Sequence, residues 1–423
     1  MASTRLRLAS LFAATVIVVG ACSATPKASG PTGSGTANDC AAGSAKAGGA
    51  GALQVPEVVA GKFNVAMVLI GPHDDGGWSQ AHYEGLQYLC QHLADTHVAY
   101  IELVPEGADS EQVFRSLSRK GFNFIIGTSF GYMDPMDTVA KDFPDTTYLH
   151  LTGYKSNGKN FGNFFGAIED FKYLAGMLAG SRAKKDGNPK IGYMATFPIP
   201  EEIRLGNAIT RGVKVTCPEC TVDVRFINTW HDPQKEREGA ASLFDAGADV
   251  VFTGADTPAV ADVAKEKGKW AVTYDHPSSC AGRDACLTAP YWIWGPEYTR
   301  IGQQVKDKKY TAGYEYFDAD SKAMGLFGFM DGETQQKGLS DLPPADVQMV
   351  KDTLAKMLAG TFGRFDVFAG PIKDNTGKEL LKAGGKLKQS DLDQFPPGAP
   401  GSECSVCMHW WNDGITAPLP PLG

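Results

Sequence analysis

From residue 63 onward the chain alternates short apolar runs with amphipathic stretches of helical length, and this alternation constrains the fold more than any other feature. The run Phe63-Asn64-Val65-Ala66-Met67-Val68-Leu69-Ile70 reads as a first buried strand. Helices are predicted near 79–92, 110–120 and 134–142, interleaved with strands near 98–103, 122–128 and 147–152. A second series opens with a helix near 170–184. It continues with strands near 190–195, 222–228, 250–254 and 270–274, separated by helices near 201–216, 233–246 and 259–267. Residues 55 to 423 exceed the usual size of one core, and 43% hydrophobic with 21% charged residues is an ordinary globular balance. The expectation is an α/β protein of two doubly wound units in succession.

The N-terminus is of another kind. Arg5 and Arg7 precede an apolar run of about a dozen residues, too short to span a bilayer and suited to a cleaved signal segment. The run ends Val19-Gly20-Ala21-Cys22, which resembles the bacterial lipobox. Residues 1–21 are therefore expected to be removed and Cys22 to carry the lipid, with several acyl chains giving stable attachment. The stretch that follows is rich in Gly, Ala and Ser, and residues 22–60 are expected to form a flexible tether. The expected location is the extracytoplasmic face of the cell membrane, with the lipid as the only membrane contact.

Eight cysteines remain beyond Cys22, an even number in an oxidising compartment. Spacing favours the local pairs Cys217 with Cys220, Cys280 with Cys286 and Cys404 with Cys407, leaving Cys40 and Cys90 as a clamp on the tether. Two C-x-x-C pairs also raise zinc or thiol-exchange chemistry. Against zinc, they lie almost 190 residues apart. Against a redox motif, Cys217-Pro218-Glu219-Cys220 precedes a strand-like run instead of opening a helix. No metal and no cofactor are expected. A net charge of −8 without a basic stripe argues against a nucleic-acid partner.

In doubly wound sheets, ligands bind where loops leave the carboxyl ends of strands. Those loops here include 71–78 with His73, Asp74, Asp75 and Trp78, 127–132 with Phe130, 228–233 with Trp230 and His231, 254–258 with Asp256, and 274–276 with Asp275. Each sets an aromatic ring or a carboxylate just past a strand, a combination suited to a flat ligand bearing hydrogen-bond donors. Asp74 and Asp75 read equally as a solvated turn or a helix cap.

At these residues the chain resembles the basic membrane protein family of ABC-transporter substrate-binding lipoproteins, which includes purine nucleoside and nucleobase receptors. The signatures run from 65 to 86, then Thr128-Ser129-Phe130-Gly131-Tyr132-Met133, Tyr173-Leu174-Ala175-Gly176, Ile191-Gly192-Tyr193-Met194-Ala195, Asn228-Thr229-Trp230 and Gly370-Pro371-Ile372-Lys373-Asp374. The resemblance implies a periplasmic-binding-protein type I fold, two Rossmann-like lobes joined by a hinge and closing on ligand. Lobe 1 would begin with residues 61–165 and lobe 2 occupy 166–288, while 289–423 would supply hinge crossovers and complete both lobes. It implies a ligand-binding role for Trp78 and Phe130 on the first lobe, Trp230 and Asp256 on the second, and Asp275 and Trp294 near cleft and hinge. The implied partners are a purine nucleobase or nucleoside, and a permease with its ATPase. One departure leaves the exact ligand open: Gly166-Ala167-Ile168-Glu169-Asp170 lacks the arginine expected before this helix in the nucleobase-binding subgroup.

Two other classes compete with a transport receptor. A sensor for a different membrane partner could use the same fold. An exported purine-processing hydrolase could draw on His73, His82, His231 or His276 beside carboxylates. The chain carries no G-x-S-x-G elbow, no H-E-x-x-H and no P-loop, so the expectation is a binding protein without catalytic residues.

Overall fold

The computed structural model describes residues 38–46, 54–393 and 404–419. The signal segment and Cys22 lie outside the described residues. In chain order, the first elements are β1 (Asp39–Lys46), β2 (Phe63–Val68), α1 (Trp78–His92), β3 (Thr96–Glu102), α2 (Ala108–Lys120), β4 (Phe124–Gly127), α3 (Met133–Asp142), β5 (Thr147–Leu151) and β6 (Phe161–Gly166). The second series runs α4 (Ile168–Lys185), β7 (Lys190–Ala195), α5 (Pro200–Thr216), β8 (Thr221–Phe226), α6 (Pro233–Asp245), β9 (Val250–Thr253), α7 (Ala259–Lys267), β10 (Trp270–Val272) and β11 (Cys286–Thr288). Then come β12 (Pro290–Trp292), α8 (Gly295–Lys306), β13 (Tyr314–Phe317), β14 (Met324–Leu326) and α9 (Pro344–Leu358).

Two parallel sheets result, one in each lobe. The first has the order β1-β3-β2-β4-β5-β6-β13 and the second the order β11-β10-β9-β7-β8. Every residue of β2 is buried, and its alternate side chains enter two different cores. Val65 and Met67 join Leu86 and Leu89 of α1, whereas Ala66 and Val68 join Phe114 of α2 and Met136 of α3. Helices on both faces are why the sequence shows a continuous apolar run there. The chain passes between the lobes at β6–α4, at β12–α8 and again at β13–β14. β12 and β14 pair antiparallel at the crossing, Pro290 opposite Leu326. The mixed α/β fold with two parallel sheets thus has the hinged, two-lobed layout implied by the resemblance.

One expectation is corrected. The segment 22–60 is not a tether throughout, because β1 lies within it and pairs in parallel with β3 at the edge of the first sheet. An edge strand is held by main-chain hydrogen bonds, which a Gly- and Ala-rich composition satisfies as well as any other. A disulfide from Cys40 to Cys90 of α1 adds a covalent hold. The other disulfides join Cys217 to Cys220, Cys280 to Cys286 and Cys404 to Cys407, the pairs favoured by spacing. Among the described residues, no helix is long and apolar enough to cross a membrane.

Candidate functional site

Strand order places the site. In the first sheet the chain runs from β2 to β3 on one side and then to β4 on the other; in the second it runs from β7 to β8 and then to β9. At such a reversal the following loops part and leave a crevice beyond the strand ends. The two crevices face each other. Between them lies a cavity lined from both lobes. Its walls include Trp78, Phe130, Ser129 and Thr152 from the first lobe and Glu201, Glu202, Trp230, Asp256 and Asp275 from the second.

Five of the six residues anticipated from the sequence therefore meet at one cavity. The indole N–H of Trp78 donates to the Thr128 carbonyl at 2.7 Å, which fixes the ring. Phe130 sits in a turn organised by Glu106, whose Oε1 accepts from the Ser129 hydroxyl at 2.6 Å and from the Gly131 N–H at 2.7 Å. The same oxygen accepts from Trp230 Nε1 at 3.1 Å, a hydrogen bond between lobes. Asp275 has φ +68°, a left-handed conformation that Asp tolerates better than most residues, and accepts from Trp292 Nε1 at 3.0 Å.

Trp294, the sixth, does not line this cavity. It stands behind it, stacked on Trp292 at 4.4 Å and on His82 at 4.6 Å, with Trp78 nearly perpendicular to the stack. At the start of α8, where the chain re-enters the first lobe, its ring is taken up by hinge packing and is 1% exposed.

Sequence reasoning missed the rest of the electrostatics. Glu201 and Glu202 open α5, where acidic residues read as ordinary complements to a helix N-terminus. Both face the cleft. Burial, reinforced by the charge of Glu202, pushes the Glu201 carboxyl up to about 8. Glu202 Oε2 accepts from the Tyr193 hydroxyl at 2.7 Å and the Thr196 N–H at 3.0 Å, yet burial still raises its pKa. Burial raises Asp256 and Asp275 well above the usual carboxylate range. Two buried cations offset these charges: Arg204 of α5, which acts on Glu201, and Lys172 of α4, which is fully buried, donates to the Thr253 carbonyl at 2.9 Å and lies 3.3 Å above the Tyr274 ring. Desolvation brings Lys172 down to about 8 against the pull of Asp275, Glu202 and Glu201.

Of the four histidines raised as acid–base candidates, His231 lies beside Asp75 and Asp256, and the other three are dispersed. His73 Nδ1 lies 2.8 Å from Glu102, His276 Nε2 lies 3.0 Å from Glu84, and His82 bonds the Tyr298 hydroxyl within the hinge stack. Asp75 is a helix cap: its Oδ1 accepts from the N–H groups of Gly77 and Gln80 and its Oδ2 from that of Ser79. What the cleft offers chemically is a set of aromatic rings from both lobes and several carboxyl groups whose pKa burial raises.

Comparison with known proteins gives three results. Residues 62–340 match the family described as ABC transporter substrate-binding protein PnrA-like. A protein named for glucose binding by an ABC transporter in Haloferax volcanii is 34% identical over 75% of this chain and 77% of its own length, and a purine-binding protein of Brucella abortus is 31% identical over 78% and 90%. Among solved structures, a solute-binding protein of an ABC transporter system from Aeropyrum pernix superposes with a TM-score of 0.61 at 15% identity, covering 78% of this chain and 95% of that one.

Proposed function

We propose, since the chain belongs to the PnrA-like family of ABC transporter substrate-binding proteins, that it captures a purine nucleobase or nucleoside outside the cytoplasm and delivers it to an ABC permease and its ATPase. The observation that carries this reading is the meeting of Trp78 and Phe130 from one lobe with Trp230 from the other at a single cavity. Rings contributed by both lobes suit a planar heterocycle, which gains by stacking in proportion to its π-face. Asp256 and Asp275 would orient it, either accepting from ring or exocyclic N–H groups or, when protonated, donating to a ring nitrogen or carbonyl. Binding energy divided between lobes favours the closed form without any covalent step. Lipid on Cys22 would hold the protein at the membrane beside its permease.

The relative named for glucose binding favours one second reading, a hexose in the same cleft. Mass spectrometry of small molecules released from freshly purified protein, with calorimetric titration of purine bases, nucleosides and glucose, separates the two. The purine reading expects a base or nucleoside released intact and binding at one per chain. Release and tight binding of a hexose, with no purine response, would replace it. Recovery of a cleaved or deaminated purine at many turnovers per chain would make the protein an enzyme.

A further inference from the structure

At the rim of the cleft, three side chains from three loops converge. Asp75 lies beyond β2 in the first lobe; His231 beyond β8 and Asp256 beyond β9 belong to the second. One potential ligand atom from each falls within 4.8 Å of the others. An acidic cluster alone would mean little, but two of these groups are incomplete. Asp256 is only 4% exposed, and its Oδ2 has no hydrogen-bond partner; His231 Nδ1 is likewise buried and unpartnered. A buried carboxylate oxygen without a donor costs stability, so such a group calls for an occupant. The charges that act most strongly on Asp256 are all carboxylates, Asp75 first. What would complete the cluster is a cation.

We infer that Asp75, His231 and Asp256 form a binding site for a divalent transition-metal ion that bridges the two lobes. One imidazole nitrogen and two carboxylate oxygens are a donor set suited to zinc or manganese, with a fourth position left for water. Asp75 comes with its carboxylate already oriented by three backbone N–H groups, the outer support that ligating carboxylates commonly have. The lobes are in close contact here. A Cβ added to Gly77 would come within 1.9 Å of the Asp256 carbonyl oxygen, so only glycine lets the Asp75 loop lie against the Asp256 loop. Because its ligands come from both lobes, the ion binds the closed form, and it shifts the opening equilibrium by its differential affinity for that form.

The test is zinc uptake by the mature full-length chain after dialysis against a chelator, read by calorimetry and by elemental analysis, with Co²⁺ as a visible-absorbing probe of the ligand set. Wild type is expected to take up one ion per chain and to gain thermal stability with zinc concentration. His231→Ala and His231→Gln should each weaken uptake by at least about tenfold and abolish the stabilisation. Neither changes a residue of the cavity wall, so both should bind the small-molecule ligand normally in chelator, which also shows that they fold. Wild type that takes up no zinc, or His231 variants that bind it as tightly as wild type, would overturn the site and leave a proton shared between Asp256 and its neighbours as the occupant.

Discussion

Glu201 offers a direct measure of what the cleft costs the fold. Its carboxyl titrates near 8 in the folded protein against an ordinary 4.5, chiefly because burial disfavours the anion. A carboxyl whose folded pKa is raised contributes most below the unfolded value, and that contribution is lost as pH climbs through the folded one. At pH 7 the unfolded chain carries the anion and the fold holds the acid. Closing the interval from 4.5 to 7 at 1.36 kcal/mol per pH unit costs about 3 kcal/mol, and at pH 5 about 1 kcal/mol. Glu201→Gln places a neutral group of the same shape where the protonated acid sat and removes that cost. The variant should therefore be more stable than wild type by about 3 kcal/mol at pH 7, by about 1 kcal/mol at pH 5, and equal to it below pH 4. Urea unfolding followed by tryptophan fluorescence at these values tests the slope as well as the sign. Equal stability at pH 5 and 7, or a destabilised variant at pH 7, would mean that Glu201 is an ordinary ionised carboxylate and that the reasoning from burial is wrong. Glu236, raised to about 7 mainly by burial, contributes a cost of the same sign between pH 5 and 7.

Trp78→Ala and Trp230→Ala should each weaken purine binding by about 1–3 kcal/mol in calorimetry; unchanged affinity in both would remove stacking from the site. Replacing Cys40 and Cys90 with serine opens a loop closed across 50 residues, worth about 4 kcal/mol of chain entropy, and should expose 39–46 to limited proteolysis. Cys22→Ser should release the protein from the membrane fraction, and retention under high salt would discard the lipid anchor.

The elements legible in the sequence were those in which hydrophobic pattern and local punctuation agree. The reading over 190–195 and 259–267 coincides with β7 and α7, and most other predicted boundaries fall within two residues of the structure. What escaped was held by partners distant in sequence. β6 reads Phe-Gly-Asn-Phe-Phe-Gly, three phenylalanines whose strand signal is broken by two glycines and an asparagine, and it is a buried strand flanked by β5 and β13. β1 is Ala- and Gly-rich and exists as the edge neighbour of β3, fastened by Cys40.

The site divides along the same line. The loops that carry Trp78, Phe130, Trp230, Asp256 and Asp275 could be anticipated because each follows a strand at a place where doubly wound sheets open, and the family resemblance singled out these residues within them. Glu201, Glu202 and Lys172 could not, since a glutamate pair in a first helical turn and a lysine inside α4 have commonplace surface explanations. Their significance appears only when the second sheet brings α5 and the Asp275 loop around the Lys172 ammonium. Three carboxyls are then buried with Lys172 and, beside Glu201, Arg204, and burial keeps Glu201 protonated at neutral pH. A cleft built this way trades stability for groups that donate as well as accept hydrogen bonds, which a ligand with both kinds of edge can use. If that trade is the reason for the pair, Glu201→Gln should gain stability and lose affinity together. Gain without loss would mark Glu201 as a bystander at the cavity wall.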